Sequence, residues 1–225
     1  MTVKILAWDT TTEYASVAAL VNGEVLSELN YKSGLKHSSV LIPMINFLLE
    51  STGLNLKDFD AFSAAIGPGS FTGIRVGLAA AKAFCFALKK PFIPAVSLDA
   101  LAKKVEDRAE RIIAMIDAKK EEVFAAIYDK GKRILDPVNI KPERLLEKIS
   151  GAESLFIGTG AIRYRELIEK SLGSKAIFSE RSLFAASEIA RLAEENFKKG
   201  KVLQPGEIKA LYIRASDAEL QKWGK

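Results

Sequence analysis

The chain has 225 residues, of which 48% are hydrophobic, so it can bury a core in one large domain or in two small lobes. Its single cysteine, Cys85, excludes a disulfide framework and a cysteine-built zinc site; without a secretory signal or a bilayer-spanning apolar run, we expect a cytoplasmic protein with no membrane contact. The lysines behind the formal net charge of +5 are spread along the chain, which permits contact with RNA but lacks the clustered basic patch of a dedicated RNA or DNA binder.

The first hundred residues alternate between strand and helix patterns. Asn22-Gly23 separates two apolar runs, which is a strong hairpin signal. Hairpins followed by strand–helix units predict a mixed sheet with helices packed on it. In chain order we predict strands at Val3–Asp9, Tyr14–Val21 and Glu24–Tyr31, a helix from about Ser38 to Thr52, a strand at Ala61–Ile66, a glycine-rich turn at Gly67–Gly73, a helix to about Lys89, a strand at Phe92–Val96 and a helix capped by Ser97.

The second half of the chain repeats the plan of the first. The strand Ile5–Asp9, which ends in Asp, is matched by Ile113–Asp117, and each is followed by another β run. The glycine turn at Gly67–Gly69 is matched by Gly158–Gly160, and each opens a helix. Repeats of this size are lobes and not solenoid units. We therefore predict two similar lobes, residues 1–102 and 103–225.

This duplicated plan resembles the actin–hexokinase–heat-shock-ATPase superfamily. The resemblance implies an α/β fold of two ribonuclease-H-like lobes, each with a mixed sheet flanked by helices. It also implies that glycine turns at helix N-termini face the phosphates of a nucleotide, where backbone N–H groups and the helix dipole favour an anion.

Asp9-Thr10-Thr11 is the first candidate for a phosphate or metal contact. Its hydroxyls can donate to phosphate oxygens, and Asp9 could hold a hydrated Mg²⁺. The alternative is that these side chains satisfy backbone groups of the turn. With Gly67 and Gly69 they form the predicted nucleotide site, for which ATP or ADP is the candidate ligand.

The string from Gly67 to Gly77, Gly-Pro-Gly-Ser-Phe-Thr-Gly-Ile-Arg-Val-Gly, is the most specific in the chain. Its glycines let the backbone turn sharply and approach another group closely. Three roles fit such a turn: a phosphate cradle, a tight packing joint, or a docking surface. The string lacks the Gly-Lys-Ser/Thr of a P-loop.

The two helices beside this string carry more apolar surface than one sheet needs. Apolar residues of the first predicted helix cover roughly 220° of its circumference at 100° per residue, whereas a helix on its own sheet needs little more than about 100°. This excess predicts a protein partner, unless C-terminal segments of the same chain cover the helices. The predicted contact residues are His37, Val40, Leu41, Met44, Ile45, Leu48, Phe71, Ile74, Arg75, Leu78 and Lys82.

Few residues could support catalysis. His37 is the only histidine, so no Ser–His, Cys–His or histidine metal constellation can be assembled. Apolar neighbours around Cys85 favour an inert core thiol. Aspartate and glutamate bases remain possible in principle, but no pair is singled out by its spacing.

Several strings occur in the order and spacing of a known family, and the chain resembles bacterial TsaB proteins. TsaB proteins are shortened relatives of TsaD, which transfers a threonylcarbamoyl group from its adenylate to N6 of adenosine 37 in tRNA. The matching strings are Ile5–Thr12, His37–Pro43, Gly67–Gly77 with Ala81-Lys82, Val96–Ala102, Asp117-Ala118 with Glu122-Val123, and Leu211–Arg214.

The resemblance implies a non-catalytic subunit. TsaD binds its metal through two histidines spaced His-x-x-x-His, and these positions correspond to Ser97 and Leu101 here, so the resemblance implies no metal, no catalytic residue and no required cofactor. It also implies that the first-lobe helices dock a TsaD-like transferase or a second copy of the chain. A TsaE-like ATPase would join the complex, and tRNA would be reached through the complex.

Two alternatives compete with that interpretation. One is an independent enzyme, either an ATP-dependent small-molecule kinase of the same superfamily or a glycoprotease-like enzyme. A kinase needs an acceptor-activating Asp, and it needs larger lobes than a chain of this length usually provides. The other is a free-standing RNA binder, which would need stacking aromatics on a basic face, whereas the phenylalanines here lie within apolar runs.

Overall fold

A computed structural model describes residues 2–32, 37–149 and 151–214; the side chain of His37, which begins the first helix, lies outside the described part. The strands are β1 (Lys4–Asp9), β2 (Tyr14–Val21), β3 (Glu24–Lys32), β4 (Ala61–Ala65), β5 (Phe92–Ala95), β6 (Arg111–Lys119), β7 (Glu122–Asp129), β8 (Lys132–Ile140), β9 (Ser154–Ile157) and β10 (Ala176–Phe178). The α-helices are α1 (His37–Thr52), α2 (Phe71–Leu88), α3 (Ser97–Lys103), α4 (Pro142–Lys148), α5 (Thr159–Arg163), α6 (Arg165–Leu172) and α7 (Ala186–Lys198).

The chain folds into two compact units. The first unit contains Met1–Ala100 and Ser182–Ala210, and the second contains Leu101–Arg181 and Leu211–Lys225. The first break in this division lies between Ala100 and Leu101, whereas the predicted boundary lies after residue 102. The prediction that everything after it belongs to the second lobe differs from the structure for residues 182–210.

The first unit is built on a five-stranded mixed sheet in the order β3-β2-β1-β4-β5. Strands β1, β2 and β3 pair antiparallel, and the hairpin residue Asn22 adopts a φ of 53°, as the Asn-Gly signal predicts. Strands β4 and β5 pair parallel, which requires the crossover helix α2.

Helices cover both faces of this first sheet. Because side chains alternate along a strand, Leu6 and Trp8 of β1 join the core under α1 and α2, whereas Ile5 and Ala7 join the core under α7. The residues that cover the sheet from α7 include Ile189.

A side chain of β2 fixes the start of α7 on this sheet. Ala185 and Ala186 donate their backbone N–H groups to the buried Ser16 hydroxyl, at 3.2 and 3.0 Å. No side chain of the helix's own N-cap residue, Ala185, provides this acceptor. The orphan donors of the first helical turn are thus satisfied from a distant strand, which attaches residues 182–210 to the first unit.

The second unit repeats the arrangement, with a mixed sheet in the order β10-β9-β6-β7-β8. Its first strand pairs antiparallel with β7 and parallel with β9, as β1 pairs with β2 and β4. One core of this unit joins residues from β6, β7 and β9 to residues of α4, α5 and α6. The predicted duplication of a mixed sheet flanked by helices is therefore confirmed.

By length and composition alone, α2 is apolar enough to cross a membrane. The prediction from sequence rests on only the most apolar part of this segment, which is too short to span a bilayer. In the structure Ile74, Leu78, Ala81 and Cys85 of α2 pack into the core of the first unit. A core helix of a globular unit passes the same test, and these four residues account for part of the apolarity of α2; only 33% of the helix is buried.

Candidate functional site

The turn after β1 is a buried polar cluster. Asp9, Thr10 and Thr11 are all buried, with Asp9 only 4% exposed. Asp9 Oδ1 accepts hydrogen bonds from the backbone N–H and the hydroxyl of Thr11, both at 2.7 Å. Ser97 at the start of α3 donates its hydroxyl to Thr11 Oγ1 at 3.1 Å. The carboxylate therefore organises the turn from within.

The glycine-rich string lies directly against this turn. Ser70 donates its backbone N–H to the carbonyl of Thr11 at 2.7 Å, and Ser97 donates its backbone N–H to the carbonyl of Gly67 at 2.9 Å. A Cβ added to Gly69 would collide with the Thr11 carbonyl oxygen, so only glycine permits the approach. Of the three roles considered for the string, a tight packing joint describes these contacts.

The string also opens α2, as predicted. Ser70 is the N-cap, and its hydroxyl accepts the backbone N–H of Gly73 at 3.2 Å. Two side-chain donors at the end of β1 and directly after it then reach α2: the Trp8 indole donates to the carbonyl of Gly77 at 3.1 Å, and the Thr10 hydroxyl donates to the carbonyl of Gly73 at 2.7 Å.

The five residues predicted to bind nucleotide thus lie together in the first unit. The structure brings Asp9, Thr10 and Thr11 against Gly67 and Gly69, and the three side chains use hydroxyl or carboxylate atoms on neighbours within that unit. The proximity follows from the parallel pairing of β1 with β4, which brings the ends of both strands to one sheet edge. Nucleotide binding by this cluster stays a prediction.

The matching turn of the second unit is built differently. Asp117 of β6 accepts from Lys119 at 2.9 Å and from Arg163 at 3.3 Å, and both cationic side chains are at least half exposed. Thr159, between Gly158 and Gly160, accepts the backbone N–H of Asp117 at 3.0 Å. A hydrogen bond with Tyr164 raises the pKa of the Arg163 guanidinium above its usual value, and the charge of Asp117 is the next largest cause.

The helices α1 and α2 lie side by side on one face of the first sheet, where the partner surface was predicted. Five of the predicted contact residues point into the core instead and are buried there: Leu41, Ile45, Leu48, Ile74 and Leu78. Because their side chains already fill the space above the sheet, they have no surface to offer a partner, and the prediction for these five is corrected. Val40, Met44 and Phe71 are partly buried, and Arg75 and Lys82 are exposed.

Three large apolar residues of these helices do face solvent. The exposed fractions are 43% for Ile42, 60% for Phe47 and 81% for Phe86. None of them was among the predicted contacts, although all lie in the two predicted helices. Their position follows from helical phase, because Leu41, Ile45 and Leu48 form the i, i+4, i+7 row that faces the sheet.

We call the solvent side of α1 and α2, with Ile42, Phe47 and Phe86, the exposed helical face. C-terminal residues of the first unit cover part of the helices, since Leu203, Ile208 and Ala210 pack against the same core cluster. This coverage was the alternative to a partner, and it is partial. The three apolar side chains stay uncovered by the part of the chain that the structure describes.

Groups for metal or thiol chemistry are scarce. Within residues 2–32, 37–149 and 151–214, no three His, Cys, Asp or Glu side chains cluster as a metal site. Ser97 and Leu101, the positions aligned with the metal-binding histidines of TsaD, are both buried. Burial raises the pKa of the Cys85 thiol to about 11, so the reactive thiolate is disfavoured at neutral pH.

Comparison with known proteins connects this architecture to tRNA modification. A family model described as "TsaD: tRNA N6-adenosine threonylcarbamoyltransferase" matches residues 30–221. The tRNA threonylcarbamoyladenosine biosynthesis protein TsaB of Haemophilus influenzae is 40% identical over 122 residues, which cover 53% of this chain and 51% of that protein. The chain thus spans about half the length of the curated relatives it matches.

Solved structures extend the likeness over nearly the whole chain. YeaZ from Pseudomonas aeruginosa superposes with a TM-score of 0.81 at 29% identity, covering 93% of this chain and 99% of that one. The activator of the 2-hydroxyisocaproyl-CoA dehydratase from Clostridium difficile, solved with bound ADPNP, gives a TM-score of 0.55 at 11% identity, over 94% of this chain and 100% of that one. That second likeness concerns the fold alone, and the predicted α/β class of two mixed sheets flanked by helices is confirmed.

Proposed function

The chain belongs to the TsaD family of tRNA N6-adenosine threonylcarbamoyltransferase, and from this premise we propose that it is a non-catalytic subunit of tRNA threonylcarbamoyladenosine synthesis. In this role it binds a TsaD-type transferase and supports its activity. The name of the Haemophilus influenzae relative, a tRNA threonylcarbamoyladenosine biosynthesis protein, supports the pathway.

The exposed helical face is the observation that carries the proposal. Phe47 and Phe86 lie on adjacent helices and expose 60% and 81% of their surface, which is unusual for phenylalanine in a monomer. Aromatic side chains of this kind anchor protein interfaces when a partner desolvates them. Exposed Arg75 and Lys82 on α2 supply polar contacts at the same face.

A supporting role without catalysis fits the residues at the aligned metal positions. Ser97 uses its hydroxyl on Thr11, and Leu101 offers no metal ligand. The chain's single histidine, His37, cannot replace a pair of histidine ligands. The transferase would therefore supply the chemistry, and this chain would supply a surface.

The remaining partners follow from the same proposal. We expect a homodimer through the exposed helical face when the transferase is absent, a TsaE-type ATPase in the full complex, and contact with tRNA through the complex. We expect weak binding of ATP or ADP, because the hydroxyls of Thr10 and Thr11 already bond to protein atoms.

A binding experiment tests the proposal. Phe47→Glu together with Phe86→Glu should weaken binding to the TsaD-type transferase from the same source by about 100-fold or more in calorimetry, because charges would replace two aromatic side chains that the partner would bury. Ile162→Glu is the matched control, since Ile162 is 62% exposed and belongs to the second unit. Unchanged affinity for the double variant, or threonylcarbamoyl transfer by this chain alone, would refute the proposal.

A further inference from the structure

Two side chains, one from Trp8 in β1 and one from Thr10 directly after it, reach two carbonyls of α2 in matching register. Thr10 Oγ1 donates to Gly73 and Trp8 Nε1 donates to Gly77, at 2.7 and 3.1 Å. Two residues along a strand advance about 6.6 Å, and four residues along a helix advance about 6.0 Å. The donors and acceptors therefore coincide along both elements, and each carbonyl oxygen has a second lone pair for its helical hydrogen bond.

At Gly77 the backbone of α2 approaches Thr10 and Trp8 without a side chain between them. A Cβ on Gly77 would lie 2.7 Å from Thr10 Oγ1 and 3.4 Å from Trp8 Nε1. Helices usually fix their rotation on a neighbour by interdigitating side-chain ridges, as Ile74, Leu78, Ala81 and Cys85 of α2 do in the core. Because Gly73 and Gly77 add no side chain to such a ridge, the two hydrogen bonds supply the directional contact at these positions.

We infer that Thr10 and Trp8 are positioning residues, which set the rotation of α2 about its axis and thereby aim the exposed helical face at a partner. The helix runs without interruption from Phe71 to Leu88, so a rotation at its N-terminal half is transmitted to Phe86. Arg75, which lies over the Phe71 ring at 5.8 Å, would turn with it.

This inference rests on the proposed function, because it assumes that the face binds the transferase. It assigns the Thr10 hydroxyl a task apart from any nucleotide. Thr10 and Trp8 are buried, so an effect of Thr10 on binding would be indirect.

The test compares Thr10→Val with Thr10→Ser. Valine keeps the shape of threonine but removes the donor, whereas serine keeps the donor. Thr10→Val should weaken affinity for the TsaD-type transferase by roughly 3- to 30-fold, the range typical of substitutions that touch neither binding partner. Thr10→Ser should restore the affinity to near the wild-type value.

Ser16→Ala separates positioning from stability. Ser16 holds α7 on the opposite face of the same sheet, so its loss should lower the melting temperature without changing the affinity. The inference is overturned if Ser16→Ala weakens binding as much as Thr10→Val, or if Thr10→Val leaves binding unchanged. If Thr10→Val alone binds the transferase with wild-type affinity, only the inference fails. If the double variant Phe47→Glu, Phe86→Glu also binds with wild-type affinity, the proposed function fails as well.

Discussion

The two units carry an aspartate at the matching position near the end of their first strand, yet they surround it with different side chains. Asp9 and Asp117 each accept the backbone N–H two residues further on, from Thr11 and from Lys119. Asp9 also accepts the buried hydroxyl of Thr11, whereas Asp117 also accepts from the exposed cations of Lys119 and Arg163. Duplication of a fold therefore preserved the position of the carboxylate and its backbone hydrogen bond but not the side chains around it.

The largest effect on stability is expected at Gly69, which approaches the backbone of Thr11 closely in the first unit. Gly69→Ala should destabilise the protein by about 3 kcal/mol, because the new Cβ would collide with the Thr11 carbonyl and displace the turn. Gly206→Ala is the control, since no atom lies within 4 Å of its Cβ position. Chemical denaturation measures both, and equal stabilities would show that the turn can shift without cost.

Replacing each aspartate by alanine compares how much the two turns contribute to stability. Asp9→Ala should cost about 2 kcal/mol, because the buried N–H and hydroxyl of Thr11 would lose their acceptor. Asp117→Ala should cost less than about 1 kcal/mol, because its ion pairs involve exposed cations screened by solvent. Urea unfolding of the two variants checks the order, and a larger loss for Asp117→Ala would reverse the comparison.

The smallest expected effect lies at Glu122 in the second unit. A hydrogen bond from Asn139, helped by Arg214, lowers the pKa of Glu122 below its usual value of 4.5. A lowered pKa in the folded state stabilises above the unfolded pKa, and this stabilisation is lost as the pH falls through the folded value. Glu122→Gln should therefore be less stable than wild type by under about 1 kcal/mol at pH 7, with a gap that closes on acidification.

Local sequence patterns were enough for the elements of the first hundred residues and for their duplication. The hairpin at Asn22-Gly23, the glycine turns and the alternation of strands and helices are all determined by neighbouring residues, and each appears where predicted. From the sequence, Asp9 and Gly67 are grouped as a nucleotide site, but the pairing of β1 with β4 that brings them together is seen only in the structure.

The orientation of the two apolar helices could not be predicted in the same way. When most of a helix is apolar, many rotations bury a similar area, and composition does not choose among them. Leu41 and Phe47 were therefore indistinguishable by sequence, although one is buried and the other 60% exposed. The orientation is set by packing with residues distant in the chain, such as Leu6, Val17 and Phe62 of the sheet beneath Leu41.

The attachment of α7 has a consequence for how the chain is made. The sheet face formed by Ile5, Ala7 and Leu20 is covered by Ile189 and its neighbours, which follow the whole of the second unit's sheet in the chain. During translation this face stays uncovered until α7 has left the ribosome. We therefore expect nascent chains halted near residue 180 to hold an unfinished first unit that attracts chaperones, even though all five of its strands have already emerged.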